Sequence, residues 1–249
     1  MLKVLKRILT YNGSMEYKPL SDEDIVCSYQ HRFIVECYRY HIEGKKVLDA
    51  GCWTGPLERA FVEKGLRAEW HAVDENAMAL TVAKRNFPNI DFTHCELNQK
   101  NDSFIEKFKA YFDTVFFMDV IEHIDPRTEI AVLQFFNKVL QPGGHLIVST
   151  MSNHIFNFID PGWFFGHRHY SLNVLIEIGR KAEHEVVDVK KIGNLWWDID
   201  ILLSYFYKYF SKKKYRSSKY LENKIQSGFN NPLIPVRYYL VFKKKANNN

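Results

Sequence analysis

Val47-Leu48-Asp49-Ala50-Gly51-Cys52-Trp53-Thr54-Gly55 decides the fold. Lys46–Ala50 is a short apolar run of the kind a strand buried on both faces shows, Gly51 ends it, and Pro56–Gly65 continues at helical spacing. A strand that passes through a glycine-bearing turn into a helix puts small residues at its carboxyl end. Open α/β sheets bind ligands there, because the backbone can come close to them. The helix N-terminus beyond the turn favours a negative group such as a carboxylate or phosphate. The spacing is not the G-x-G-x-x-G of a dinucleotide turn: an acid stands two residues before the first glycine, and the glycines are four apart. Asp74 closes the next apolar run, where an acid holds ribose hydroxyls.

Outward from this stretch, apolar runs alternate with helical patterns. Strands are predicted at Trp70–Val73, Ile90–His94, Thr114–Met118 and His145–Ser149. Helices are predicted near Asn76–Asn86, closed by Pro88, and over Arg127–Leu140, stopped by Pro142-Gly143-Gly144. This alternation predicts an α/β chain with a doubly wound, mostly parallel sheet covered on both faces. Further on, Asn173–Glu183 reads as a helix, and Glu185–Ile192 and Val236–Lys243 read as strands, the last of them antiparallel and on the edge side of a seven-stranded sheet. The roughly 40 residues between those two strands are long for a connection and therefore expected to hold structure or function. The organisation is one domain over 1–249, with an N-terminal arm or helices at 1–44, a core at 45–193, a helical insertion at 194–234 and a last strand at 235–245.

Composition bounds the function. The 249 residues are 46% hydrophobic and 25% charged, which supports a packed core and excludes a disordered chain. A stretch of about 18 uninterrupted apolar residues, which a spanning helix needs, does not occur. Met1–Leu9 lacks the apolar core and cleavage site of a signal peptide, and Cys27, Cys37, Cys52 and Cys95 show no C-x-x-C spacing. These features fit a reduced, cytoplasmic compartment.

Four motifs stand in order: D-x-G-x-x-x-G after the first strand, the acid ending the second, F-D-x-V with V-I-E-H around the fourth, and L-x-P-G-G-x-L-I-V-S at the fifth. Together the four resemble the class I S-adenosylmethionine-dependent methyltransferases, and within them the ubiquinone-methyltransferase-like, small-molecule branch. The resemblance implies a Rossmann-like fold and S-adenosyl-L-methionine as cofactor. It implies that Asp49, Gly51 and Gly55, with Cys52 in the same cofactor-binding loop, surround the methionine part. Asp74 would take the ribose hydroxyls, Glu75 would lie beside the adenosine, Glu96 and Leu97 would border the adenine, and Met118 and Asp119 would face the ammonium. Trp53 departs from the pattern, since the family has a middle glycine there. The Asp119-Val120-Ile121-Glu122 that follows the fourth strand is not the D/N-P-P-Y/F of nucleic-acid adenine methyltransferases, so no nucleic acid is expected as partner.

The expected reaction is methylation of a hydroxyl, or less readily an amine, on a small molecule such as a sugar, a glycan precursor or a lipid-linked intermediate. The alternatives are a protein or RNA methyltransferase, and a non-enzymatic module that docks on a membrane or partner. A base helps an oxygen acceptor, and histidine accepts a proton near neutral pH. His123 after the fourth strand and His167 and His169 after the fifth are the candidates, beside catalysis with no protein base. No metal is expected. Phe156, Phe158, Trp163, Phe164 and Phe165 precede these last histidines and suit an acceptor pocket. Trp196–Phe210 is apolar around most of a helix and is followed by Lys212, Lys213, Lys214, Arg216 and Lys219. The 196–219 stretch reads as a lid, or as a lid that also meets a membrane surface.

Overall fold

The computed structural model describes residues 20–97, 101–154, 167–207, 215–230, 232 and 234–245. Its elements in chain order are α1 (Tyr29–Cys37), β1 (Lys46–Ala50), α2 (Pro56–Glu63), β2 (Glu69–Asp74), α3 (Ala77–Asn86), β3 (Asp91–His94), α4 (Asp102–Lys107) and β4 (Phe112–Met118). There follow α5 (Glu129–Val139), β5 (Leu140–Met151), α6 (Leu172–Lys181), β6 (His184–Ile192), α7 (Leu195–Phe206), α8 (Lys219–Ser227) and β7 (Arg237–Lys244).

The strands form a seven-stranded sheet in the order β3-β2-β1-β4-β5-β7-β6. β1 to β5 pair in parallel, and β7 runs antiparallel between β5 and β6, so β6 is the edge. Successive residues of a strand face opposite sides, and here both sides are core. Val47, Phe116 and Ile147 pack with α1 and α2 residues such as Ile34 and Phe61. Leu48, Phe117 and Val148 pack with α5 residues such as Phe135 and Phe136. This double coverage is why the central strands are continuous apolar runs rather than alternating ones. Truncating a wholly buried ring such as Phe116 to alanine costs about 3–5 kcal/mol.

Side-chain caps set the helix starts. Asn76 Oδ1 accepts from Met78 N at 3.1 Å and Ala79 N at 3.0 Å, and Ser218 Oγ accepts from Leu221 N at 3.2 Å. One predicted boundary is corrected. Pro142-Gly143-Gly144 does not separate a helix from a strand at His145, because β5 already begins at Leu140, which pairs with Phe112. Gly143 takes φ +76, and the register between β4 and β5 shifts between Phe112 and Thr114, so the helix-breaking triplet is accommodated as an irregularity within the strand. α1 falls in the region 1–44 where an N-terminal arm or helices are expected, whereas the short α4 has no counterpart in the sequence-based expectations. The basic, apolar Met1–Leu9 segment lies outside the described residues.

Candidate active site

The parallel strands β1 to β4 point their carboxyl ends at one cleft of about 670 Å³. Its wall includes Gly51 and Trp53 after β1, Asp74 and Glu75 at the end of β2, Glu96 and Leu97 after β3, and Asp119, Val120 and His123 after β4. The turn after β1 is tight. Gly51 N and Cys52 N both donate to Val73 O, at 2.8 and 3.0 Å, and Gly51 and Gly55 take φ +90 and +92. A Cβ on Gly51 would stand 2.3 Å from Val120 Cγ2, so the turns after β1 and β4 close on each other only because that atom is missing. Trp53 occupies the left-handed region at φ +49 and lines the cleft with 42% of its surface exposed. Its N–H donates to Asp74 Oδ2 and Asn76 N–H donates to Asp74 Oδ1, both at 2.8 Å, so Asp74 ties the two loops together while facing the cleft.

Asp49, Cys52, Gly55 and Met118 are not among the cleft-lining residues. Asp49 is 3% exposed and shares the Val47 face of β1, toward α2 and its wholly buried Glu58. Burial, then the neighbouring Glu58 charge, holds the Asp49 carboxyl well above the usual range. Burial likewise pushes Glu58 up to about 7, against the hydrogen bond it accepts from Trp70 Nε1 at 3.1 Å. Asp49 therefore holds the more tightly bound proton of this buried carboxyl pair.

At the end of β4, Asp119 takes φ +57 and its N–H is shared between Ser149 O and Oγ, both at 3.1 Å. Its Oδ1 accepts from Ser149 Oγ at 2.7 Å, its Oδ2 accepts from Gln30 Nε2 at 2.7 Å, and Arg237 forms an ion pair with it. Burial raises the Asp119 pKa, but the Arg237 charge and these hydrogen bonds outweigh it, and the net shift is downward. Glu122, on the same post-β4 turn, behaves in the opposite way. Burial, then the Asp119 charge, pushes it up to about 8, although Thr150 Oγ1 donates to it at 3.0 Å.

His123 lines the cleft, and its ring meets that of His167 edge to face, with centroids 4.5 Å apart. Burial lowers the His123 pKa, and Arg168 and Arg237 push the same way against Asp119, so the imidazole is neutral at neutral pH. His169 is described but is not among the cleft-lining residues. The aromatic stretch holding Phe156, Phe158, Trp163, Phe164 and Phe165 lies outside the described residues. Arg168 clamps the turn that carries His123: it donates to Ile121 O at 2.8 Å, to Ile124 O and to Glu122 O, and pairs with Glu129. Tyr170 OH adds bonds to Ile121 O at 3.2 Å and to Glu129 Oε1 at 3.1 Å. Among the described residues, no group of three or more His, Cys, Asp and Glu is placed to hold a metal ion.

A family profile described as a methyltransferase domain matches residues 26–201, more than half of the chain. The chain belongs to that methyltransferase family. It is 30% identical to the ubiquinone biosynthesis O-methyltransferase of Shewanella sp. (strain ANA-3) over 120 residues, which are 48% of this chain and 49% of that one. The chain thus spans about half the length of the curated relatives it matches. Among solved structures, an S-adenosylmethionine-dependent methyltransferase from Archaeoglobus fulgidus superposes with a TM-score of 0.59 at 14% identity, over 90% of this chain and 95% of that one. The Haemonchus contortus phosphoethanolamine N-methyltransferase 2 in complex with S-adenosyl-L-methionine gives 0.59 at 15% identity, over 92% of this chain and 59% of that one. At such identities the structures establish a shared fold alone.

The cleft fits the family's cofactor. Gly51 in the turn after β1, the carboxylate of Asp74 suited to paired hydroxyls, and Glu96 beside the apolar Leu97 suited to a purine with an amino group all line it. Sequence reasoning missed Gln30 and Arg237, which hold Asp119, and Arg168, which was passed over between two candidate histidines. It also missed His154 at the end of β5, whose Nε2 lies 3.9 Å from Asp198 Oδ2 of α7 with both side chains nearly wholly buried. No local signal marks these pairs, since the partners are far apart in the chain.

Proposed function

We propose that this protein transfers a methyl group from S-adenosyl-L-methionine to a hydroxyl of a small molecule, such as a sugar, a glycan precursor or a lipid-linked intermediate. The observation that carries this reading is the neutral His123 imidazole, in contact with His167, on the wall of the cofactor cleft. A neutral imidazole accepts a hydroxyl proton, which an oxygen acceptor must lose and which acceptors with a free amine lone pair do not need lost beforehand. The O-methyltransferase names of the curated relatives point the same way.

When bound, S-adenosylmethionine supplies a methyl group already activated on a sulfonium. The protein's share is positioning and proton transfer. Gly51 and Asp74 would hold the cofactor's methionine and ribose ends, and Glu96 and Leu97 would hold its adenine end. The Arg168 clamp holds the 121–124 turn so that His123 faces the cleft. His123, or His167 beside it, takes the acceptor proton, with His169 as the remaining candidate, and a base of this kind contributes about 10²–10⁴-fold.

Incubating the protein with tritiated-methyl S-adenosylmethionine and fractionated cell extract tests the reading. Label in the small-metabolite or lipid fraction supports it, while label retained in protein or RNA overturns it. Calorimetric titration with S-adenosylhomocysteine isolates the cofactor part; a folded protein that does not bind removes the enzyme reading altogether.

A further inference from the structure

We infer that the Trp53 indole is a cofactor contact, the surface against which the sulfonium of S-adenosylmethionine is held. Trp53 stands in a strained position. Its φ of +49 lies in the left-handed region that bulky side chains avoid and that glycine enters freely. Strain of this kind persists where the surroundings over-determine it, and it gathers at ligand sites. Here Asp74 Oδ2 holds the Trp53 N–H at 2.8 Å. Packing does not offset the strain, because the indole belongs to neither of the cores on the two sides of the sheet. It stays 42% exposed and lines the cleft instead. A large aromatic surface held there serves a ligand rather than the fold.

Strand order says which part of the cofactor meets it. β3, β2 and β1 stand side by side, each about 4.8 Å from the next. Glu96 and Leu97 line the cleft after β3, Asp74 at the end of β2 and Gly51 after β1. With adenine at the first, ribose at the second and methionine at the third, the sulfur falls between β2 and β1, because it joins the ribose to the methionine chain. Trp53 bridges that interval: it stands two residues after Gly51, and its N–H is bonded to Asp74. Stacking on the adenine would need the ring one strand further over, beside Leu97. An indole face attracts a cation through its quadrupole and carries no charge of its own. It therefore favours the sulfonium over the neutral sulfide that remains once the methyl group has left. The carboxylates on either side are already engaged, Asp74 by two backbone N–H groups and Asp119 by Arg237. The inference rests on S-adenosylmethionine being the cofactor and is independent of the acceptor.

Calorimetric titration of S-adenosylmethionine and of S-adenosylhomocysteine, without acceptor, into wild type, Trp53→Phe and Trp53→Leu tests it. The two ligands differ by one methyl group and one positive charge. Trp53→Leu keeps an apolar side chain but has no π face, so its affinity for S-adenosylmethionine should fall about 3–30-fold more than its affinity for S-adenosylhomocysteine. Trp53→Phe, with a weaker π face, should recover part of that ratio. Circular dichroism and melting temperature show that the variants fold, and Trp53→Gly, free of the strain at φ +49, reads the same ratio if Trp53→Leu does not. An affinity ratio that is the same in wild type and Trp53→Leu overturns the inference, as does a Trp53→Phe protein no better than Trp53→Leu. Either result leaves the cofactor reading standing. A folded wild-type protein that binds neither ligand overturns that reading and this inference with it.

Discussion

Replacing Arg168 by methionine tests whether the turn after β4 is held from outside. The guanidinium is 23% exposed, pairs with Glu129, and donates to Ile121 O at 2.8 Å, to Ile124 O and, at 3.5 Å, to Glu122 O. Hydrogen bonds to a charged partner contribute about 1.5–3 kcal/mol each. The three carbonyl contacts alone would sum to roughly 4.5–9 kcal/mol if they were independent and dry, which they are not. Water reaches part of the site, and Tyr170 still bonds Glu129 and Ile121. Halving the sum leaves about 2–4 kcal/mol, or a melting temperature lower by about 5–15 °C for a chain of this size. Arg168→Lys keeps a cation for Glu129 but has no planar fork to reach the carbonyls, so it should recover less than half of the loss. The assay is urea denaturation of the three proteins, with S-adenosylhomocysteine titrated calorimetrically into each. Stability should fall in the order Arg, Lys, Met while cofactor affinity stays within about threefold, because Asp74 and the glycine turn do not touch the clamp. An Arg168→Met protein within about 0.5 kcal/mol of wild type would refute the clamp.

Asp74→Asn keeps the size of the side chain but weakens both backbone bonds and any bond from paired hydroxyls, and should raise the dissociation constant for S-adenosylhomocysteine by about 10–100-fold, read by the same titration. Trp53→Gly relieves a non-glycine residue at φ +49, so the protein should keep its stability within about 1 kcal/mol; a larger loss measured in urea means the indole is a packing element. His123→Ala or His167→Ala should cut methyl incorporation by about 10²–10⁴-fold at saturating cofactor, and wild-type rates in both return attention to His169. Glu122 has a folded pKa of about 8, raised by burial, so in the folded state it keeps a proton that the unfolded chain has lost. Its contribution therefore falls as pH rises through the window from the ordinary carboxyl range to about 8 and is lost above it. Glu122→Gln should flatten the decline of melting temperature between neutral and mildly alkaline pH, and an unchanged slope assigns that decline elsewhere.

The parallel strands were legible in the sequence because a strand buried on both faces writes an uninterrupted apolar run, as Thr114–Met118 does. The cleft wall was legible because Gly51 follows β1, Asp74 ends β2 and Glu96 stands just after β3, and parallel pairing carries all three to one edge. What was not legible depends on contacts across the chain. Gln30 reaches Asp119 over 89 positions of sequence, and Arg237 reaches it from the last strand. Asp49 is instructive, because strand alternation alone places it on the face of Val47, toward α2, and its carboxyl is buried with Glu58 there. Pro142-Gly143-Gly144 misled in the other direction: residues that break a helix are tolerated in a strand where the register slips.

Asp119 and Glu122 bear on the proposed chemistry together. Transfer from a sulfonium discharges a cation, so a strongly negative floor would stabilise the reactants more than the transition state and slow the reaction. An apolar floor would give the cationic cofactor nothing to bind. The post-β4 turn avoids both extremes. Within residues 119–122, the ionised Asp119 is offset by Arg237 and fixed by Ser149 and Gln30, while Glu122 is kept protonated at neutral pH by burial and by Asp119 itself. Two carboxyls in one turn are thereby driven to opposite protonation states. Arg237→Met removes the offset, and the Asp119 pKa should rise as burial is left less opposed. Cofactor binding, which senses the cation, should then become pH-dependent across the acidic range in the variant and not in wild type. Titrating S-adenosylmethionine into both proteins between about pH 4 and 7 reads this, a window that starts at the ordinary carboxyl range and stays below the value of about 8 for Glu122. Parallel pH profiles would show that Arg237 holds structure alone.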